Sequence, residues 1–296
     1  MTQNAQNIRE VRKIFRSQPT IEGAGVRLQR GFSYPEAREL DPFLLFDDFS
    51  SPDPVDFMAG FPWHPHRGIE TVTYILEGEV AHEDSLGNAG TITNGDVQWM
   101  SAGSGIIHQE MPQVFVPGTN VQGIKGFQLW VNLPKTQKMA KPRYQDMSSS
   151  NIPVIEQDGA RAKVITGAFG SESGPVTEVA GAPTYLDVAI EPKRSFEFPT
   201  RAGDTVLIYI IEGTALVGSM RTPVGKSIIA LMELGDLVHV EAPDMGANGV
   251  GTRFLLMEGT PLHEPVAWHG PIVMNTNEEL VEAFKELNEG TFIRGS

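Results

Sequence analysis

Tyr74-Ile75-Leu76-Glu77-Gly78 recurs 135 residues later as Tyr209-Ile210-Ile211-Glu212-Gly213. In each copy a further strand signal follows, then a Gly-Asp pair with an apolar residue, Gly95-Asp96-Val97 and Gly235-Asp236-Leu237. Two matches in the same order mark a duplication, so one fold must be built twice within the 296 residues. The kind of fold follows from the spacing of apolar runs. Val26-Arg27-Leu28, Thr71 to Leu76, Asp96 to Met100, Phe127 to Leu133, Tyr185 to Ile190, Val206 to Ile211 and Arg253 to Met257 are of strand length and lie between Gly, Pro, Asn and Asp clusters. Short strands at close intervals with turn signals predict a sandwich or barrel. The expectation is an all-β protein of two barrels of one kind.

The segment Lys135 to Pro153, with Lys138, Lys141 and the run Ser148-Ser149-Ser150, reads as an exposed connection. It divides the chain into a first domain at 1–134, a linker at 135–153 and a second domain at 154–296. Near the end, Asn277-Glu278-Glu279 opens a segment with Leu280, Phe284 and Leu287 at helical spacing, and Gly290 closes it. One amphipathic C-terminal helix packed on a barrel is expected.

Charge and composition exclude several classes. Lys+Arg 23 against Asp+Glu 37 gives a net charge of -14, without the basic stripe that phosphate binding needs, so direct nucleic-acid binding is not expected. The N-terminal run Arg9, Arg12, Lys13, Arg16 is interleaved with Glu10, Val11 and Ile14 and reads as a solvated strand or arm. With no cysteine, disulfides, iron–sulfur clusters and thiol nucleophiles are absent, and any metal must sit on His and carboxylate. No run approaches the roughly 18 apolar residues of a membrane span. The polar start, Met1 to Asn7, lacks the apolar region of a signal peptide. A cytoplasmic protein without membrane association is the expectation.

Two short motifs carry the chemistry, His64-Pro65-His66 and His108-Gln109-Glu110. Residues two apart on a strand share a face, so each motif offers two ligating side chains to one side of a sheet. Three imidazoles and a carboxylate suit a divalent first-row metal. A single His-x-His pair is also what a soluble surface strand carries. Here three of seven histidines fall in two such motifs, flanked by Gly60, Gly68, Gly103 and Gly105, which favours a metal site at His64, His66, His108 and Glu110. Phe61, Trp63, Trp99 and Met100 could wall a dry cavity for a planar ligand, or simply pack a core. Glu70 reads equally as a ligand, a base or a buried hydrogen-bonding carboxylate, and His82 as lying outside the ligand set.

The second copy lacks these donors. An offset of 135 places Pro199, Arg201 and Thr205 opposite His64, His66 and Glu70, and the offset of the Gly-Asp pair places Asn248 and Val250 opposite His108 and Glu110. His239, His263 and His269 stand singly, as surface or hydrogen-bonded histidines do. One metal per chain, in the first barrel, is expected.

Beyond the ligand motifs, the chain carries Leu40-Asp41-Pro42-Phe43-Leu44-Leu45-Phe46-Asp47-Asp48-Phe49 and Phe61-Pro62-Trp63-His64-Pro65-His66-Arg67-Gly68-Ile69-Glu70-Thr71-Val72-Thr73-Tyr74. It continues with Asp96-Val97-Gln98-Trp99-Met100, Gly103-Ser104-Gly105-Ile106-Ile107-His108-Gln109-Glu110, Gln128-Leu129-Trp130-Val131-Asn132-Leu133-Pro134 and Gly270-Pro271-Ile272-Val273-Met274-Asn275-Thr276-Asn277. Over nearly its whole length the sequence resembles the pirin family, a bicupin branch of the cupin superfamily. The resemblance implies two cupin, or jelly-roll β-barrel, domains in tandem. It implies one Fe(II) per chain in the N-terminal cupin at the residues matching His64, His66, His108 and Glu110, and a metal-free C-terminal cupin. Mn, Ni, Cu and Zn suit the same His3Glu set. The general cupin pattern also has a glutamate in its first motif, near Glu70, and a proline in its second, where Ser101 stands. In pirins the carboxylate comes from the second motif, which selects Glu110.

The resemblance divides function two ways. Bacterial pirins look like quercetin 2,3-dioxygenases, which cleave a flavonol with O2 and release carbon monoxide. On that reading Glu110 accepts the proton of the flavonol 3-hydroxyl. Animal pirins look like nuclear, iron-dependent cofactors of transcription regulators, which implies a non-enzymatic redox sensor with a regulatory protein partner. A sugar isomerase would place more Lys and Arg near the ligands, and Arg67 alone adjoins either motif.

Overall fold

Alternation of apolar and polar residues becomes alternation of burial along the strands that carry the chemistry. In Ile106–Gln113 every second residue from Ile106 to Pro112 is buried, so His108 and Glu110 point inward together. Strand Ile69–Glu77 is instead buried on both faces over most of its length, as its nearly unbroken apolar and threonine sequence requires. A computed structural model of the protein describes residues 7–113, 123–244 and 251–294.

The chain forms two compact units, one of Gln18–Ser150 with Leu262–Ser296 and one of Met1–Ser17 with Asn151–Pro261. In the first unit a seven-stranded antiparallel sheet runs in the order Arg143–Met147, Val97–Ser101, Ile69–Glu77, Lys125–Asn132, Phe43–Asp48, Val26–Phe32, Gln18–Glu22. A four-stranded sheet, in the order Phe61–His66, Ile106–Gln113, Glu79–Asp84, Ala89–Ile92, completes it. The C-terminal helix, Asn277–Glu289, belongs to this unit and matches its sequence signals. Thr276 and Glu279 form a capping box and Gly290 closes the helix in the left-handed region. Leu280 and Ala283 pack with Ala267, Ile272, Met274 and Phe292.

The second unit repeats the design. Its seven-stranded sheet runs Val11–Arg16, Ile228–Met232, Thr205–Glu212, Thr252–Gly259, Thr184–Ile190, Ala160–Thr166, Val154–Gln157, and its four-stranded sheet Ser195–Pro199, Leu237–Glu241, Thr214–Val217, Thr222–Gly225. The Tyr74 and Tyr209 strands occupy the same central position in their sheets, as the repeat requires. The Gly-Asp pairs do not correspond. Gly95-Asp96 leads into a strand of a seven-stranded sheet, whereas Gly235-Asp236 leads into a strand of a four-stranded one.

The domain limits also differ from the contiguous division at 1–134, 135–153 and 154–296. The outermost strand of the second unit's large sheet is Val11–Arg16, paired with Ile228–Met232, and residues from 262 onward fold with the first unit. Arg9 is accordingly not solvated. It is fully buried, donating to Thr200 Oγ1 and to the carbonyls of Arg201, Asp204 and Glu233. The expected linker is likewise structured: Arg143–Met147 pairs with Val97–Ser101 as an edge strand. Lys138 is buried, and its Nζ donates to Gly68 O, Asn132 Oδ1 and Val273 O. Burial pushes the Lys138 ammonium down to about 7.

Candidate metal centre

Strand Phe61–His66 is the edge of the four-stranded sheet, a position that tolerates Pro62 and Pro65. It pairs with Ile106–Gln113 so that His108 lies opposite His64 and Ile106 opposite His66. Between His108 and Glu110 the register shifts, because Glu110 faces Phe61. This bulge places an extra residue on the His64 strand and leaves Trp63 half exposed. It also brings the Pro62 carbonyl 2.8 Å from His64 Nδ1.

His64, His66 and His108 converge, with one ligand atom from each lying within 4.8 Å of the others. Nδ1 of His66 lies 3.2 Å from the Pro271 carbonyl, so both His64 and His66 donate through Nδ1 to a backbone oxygen. That fixes the tautomer and leaves a lone pair on each Nε2. The two Nε2 atoms are 3.1 Å apart. Two acceptors facing each other repel unless a cation lies between them, and two nitrogens bound at about 2.1 Å and right angles to one ion are about 3.0 Å apart. Both ring nitrogens of buried His108 lack a hydrogen-bond partner among the described residues. Orphaned buried nitrogens are costly, and a metal relieves that cost. Burial, then the neighbouring His64 and His108, holds His66 well below its ordinary pKa; burial, then His64 and His82, does the same for His108. Neutral imidazoles are the ligating form. The donors present therefore fit a divalent first-row cation.

Glu110 is buried near this group but not within it. Its Oε1 accepts from Thr73 Oγ1 at 2.8 Å and its Oε2 from Gln128 Nε2 at 2.9 Å. Trp130 Nε1 donates to Gln128 Oε1 at 3.0 Å, which fixes the amide's orientation. A carboxylate accepts about four hydrogen bonds, so these two leave capacity for a cation or a proton. Glu70 is a buried carboxylate that accepts from Ser101 Oγ at 2.5 Å, and neither it nor His82 is part of the three-histidine group. The His82 ring stacks on Tyr144 at 6.0 Å.

A cavity of about 740 Å³ opens beside His64 and His66. Of the four residues that fit either a cavity wall or a core, Phe61 and Trp63 line the cavity and Trp99 and Met100 pack in the core. Their strand belongs to the large sheet, where Met100 packs in a core with Leu44, Leu45 and Ile106 and Trp99 is 1% exposed. The aromatic wall comes instead from Trp130, Trp268 and Tyr34. Trp130 stands edge-on to His66 with ring centroids 5.0 Å apart, and Trp268 contacts both Trp130 and Tyr34. No local spacing announces these three, because they meet only when strand Lys125–Asn132, the Ser33-Tyr34 loop and the C-terminal segment come together.

Strand register supplies the counterparts of the site in the second unit. The repeat aligns His82 with Val217; His82 faces Glu110 and Val217 faces Val240, so Val240 replaces Glu110 and Val238 replaces His108. Phe198, opposite Val238, replaces His64, and Thr200 replaces His66. Thr73 and Gln128 become Ile208 and Leu256. Phe198, Ile208, Val217, Val238, Val240 and Leu256 all belong to one buried core. These positions differ from Pro199 and Arg201, given by the fixed offset, because the two barrels differ in loop lengths and in the bulge. Asn248 and Val250, the other offset positions, lie outside the described residues.

Two barrels of matching strand order, one with inward histidines, define a bicupin, and the comparisons agree. Residues 25–131 match the family model described as Pirin and residues 185–293 the one described as Pirin C-terminal cupin domain. The chain belongs to the pirin family. It is 43% identical to a pirin-like protein of Caulobacter vibrioides over 96% of this chain and 99% of that one, and 43% identical to Pirin of Homo sapiens over 90% and 88%. A crystal structure of quercetin 2,3-dioxygenase from Acinetobacter baumannii superposes with a TM-score of 0.86 at 33% identity, covering 96% of this chain and 98% of the other. Among the described residues no helix is long and apolar enough to cross a membrane.

Proposed function

We propose that the protein is a dioxygenase that cleaves a flavonol such as quercetin with O2 at a single Fe(II) held by His64, His66, His108 and Glu110. The observation that carries this reading is the facing pair of Nε2 atoms, 3.1 Å apart, bordering an aromatic-lined cavity of about 740 Å³. That volume is in the range of small-molecule sites. The similarity to the Acinetobacter quercetin 2,3-dioxygenase supports the substrate class.

When bound, the ion supplies Lewis acidity and a one-electron couple beside the substrate. The remaining work falls to the chain. Trp130 and Trp268 stack against the flat rings and exclude water. Glu110 accepts the proton of the flavonol 3-hydroxyl, and Thr73 and Gln128 hold its carboxylate in place for that transfer. Pro62 and Pro271 carbonyls hold the imidazoles of His64 and His66 in their ligating tautomer. Iron-loaded protein given quercetin should consume O2 and release carbon monoxide. The reading fails if neither happens while metal analysis and spectroscopy show all four ligands engaged.

A further inference from the structure

The cavity has a second chemical feature, on the outer strands of the large sheet. On the inner face of the large sheet, Gln128 lies opposite Asp47, and Asp47 opposite Arg30. All three border the cavity, as does Glu22. At about 4.8 Å between strands, Arg30 stands roughly 10 Å from Gln128. Arg30 donates from Nε and one terminal nitrogen to both oxygens of Asp47, at 2.9 and 2.7 Å, and from the other to Glu22 at 2.8 Å. Burial alone would lower the guanidinium's pKa, but Asp47 and Glu22 outweigh it and raise it. The single cation is thus matched by two carboxylates, and among the described residues no other Lys or Arg borders the cavity.

The fold does not require these charges. Following the same register, Gln128, Asp47 and Arg30 become Leu256, Leu186 and Val164 in the second barrel, all in its buried core. A partly buried ion pair in place of hydrocarbon brings little stability and points to a purpose in the cavity. Beside the polar row runs an apolar one, Trp130 opposite Leu45, roofed by Trp268.

We infer that Glu22, positioned by Arg30 and backed by Asp47, is a specificity-determining acceptor that selects planar aromatic substrates carrying hydroxyl donors on the ring that reaches the Glu22–Arg30 edge of the cavity. Arg30 takes one of the roughly four acceptor positions of Glu22, and the Glu22 side chain is 43% exposed, so the others can receive hydroxyl groups. The net negative edge repels substrates that carry a carboxylate there. This inference rests on the flavonol reading and deepens it.

Three of the four tryptophans line the cavity, so ligand binding can be read by fluorescence quenching without turnover. The probes are quercetin, its analogue without hydroxyls on the pendant ring, and an analogue with a carboxylate on that ring, titrated anaerobically into iron-loaded protein. Quercetin should bind about ten-fold more tightly than the bare-ring analogue, the carboxylate analogue should bind most weakly, and Glu22→Gln should reduce the ten-fold preference to roughly two-fold. Glu22→Lys should reverse the order in favour of the carboxylate. Equal affinities in the wild type, or a preference unchanged in Glu22→Gln, overturn the inference while leaving the flavonol site standing. Quenching by none of the three overturns both.

Discussion

The two barrels of this chain share strand order and differ in what fills matching interior positions. In one, the inward positions of the small sheet and the facing rows of the large one hold His64, His66, His108, Glu110, Thr73 and Gln128. In the other the same positions hold Phe198, Thr200, Val238, Val240, Ile208 and Leu256. A barrel interior filled by hydrocarbon is stable by itself, whereas one lined by imidazole and carboxylate depends on partners for its polar atoms. The scaffold accommodates both, and the histidine-bearing copy adds a bulge at His64 and carbonyls from Pro62 and Pro271 to aim its donors.

The largest effect that tests this contrast is metal content. On the proposed site, His108→Ala should abolish metal binding by elemental analysis, while Phe198→Ala leaves it unchanged; equal loss from both would erase the distinction. Stability should show the opposite pattern. Phe198→Ala removes a side chain that is 2% exposed and should cost about 3–5 kcal/mol in denaturant unfolding. His108→Leu in metal-free protein should cost nothing or stabilise by about 1 kcal/mol, because two orphaned nitrogens leave the interior.

The pH dependence sharpens the comparison further. His66 and His108 titrate well below 6.5 when folded, so below that pH the unfolded chain binds protons that the native barrel does not. Stability is then full above about pH 6.5 and falls as the pH drops, by up to about 1.4 kcal/mol per pH unit for each histidine. Unfolding of metal-free protein at pH 8 and pH 5.5 should show the loss, and a His66→Leu/His108→Leu double variant should reduce it. The smallest effect expected is kinetic. Gln128→Leu, which imports the second barrel's residue type, should leave metal binding intact but slow the proposed flavonol cleavage roughly ten-fold, since Glu110 loses one of its two anchoring hydrogen bonds.

Much of this was legible in the chain. The repeat at Tyr74 and Tyr209, the two-residue spacing of the ligand motifs and the Thr276–Gly290 helix signals are local patterns, and local patterns survive folding because strand and helix periods fix which residues share a face. The misplacements have a common cause. The neighbours of Arg9 and Lys138 in sequence suggest solvation, yet both side chains are buried by segments more than 60 residues away. Trp99 and Met100, beside the ligand motifs in sequence pattern, take the core-packing role, while Trp130 and Trp268 reach the cavity across the sheet.

By itself, then, the sequence determined that there are two β-barrels of one kind, that the first carries three inward histidines with a glutamate, and that a capped helix ends the chain. Periodicity and composition suffice for that, because they act over a few residues. Tertiary structure alone decided which termini complete which barrel, that Pro271 orients His66, that Glu110 is held by Thr73 and Gln128, and that Arg30, Asp47 and Glu22 form one edge of the cavity. Those are long-range juxtapositions set by strand register, and register is fixed only when the whole sheet assembles.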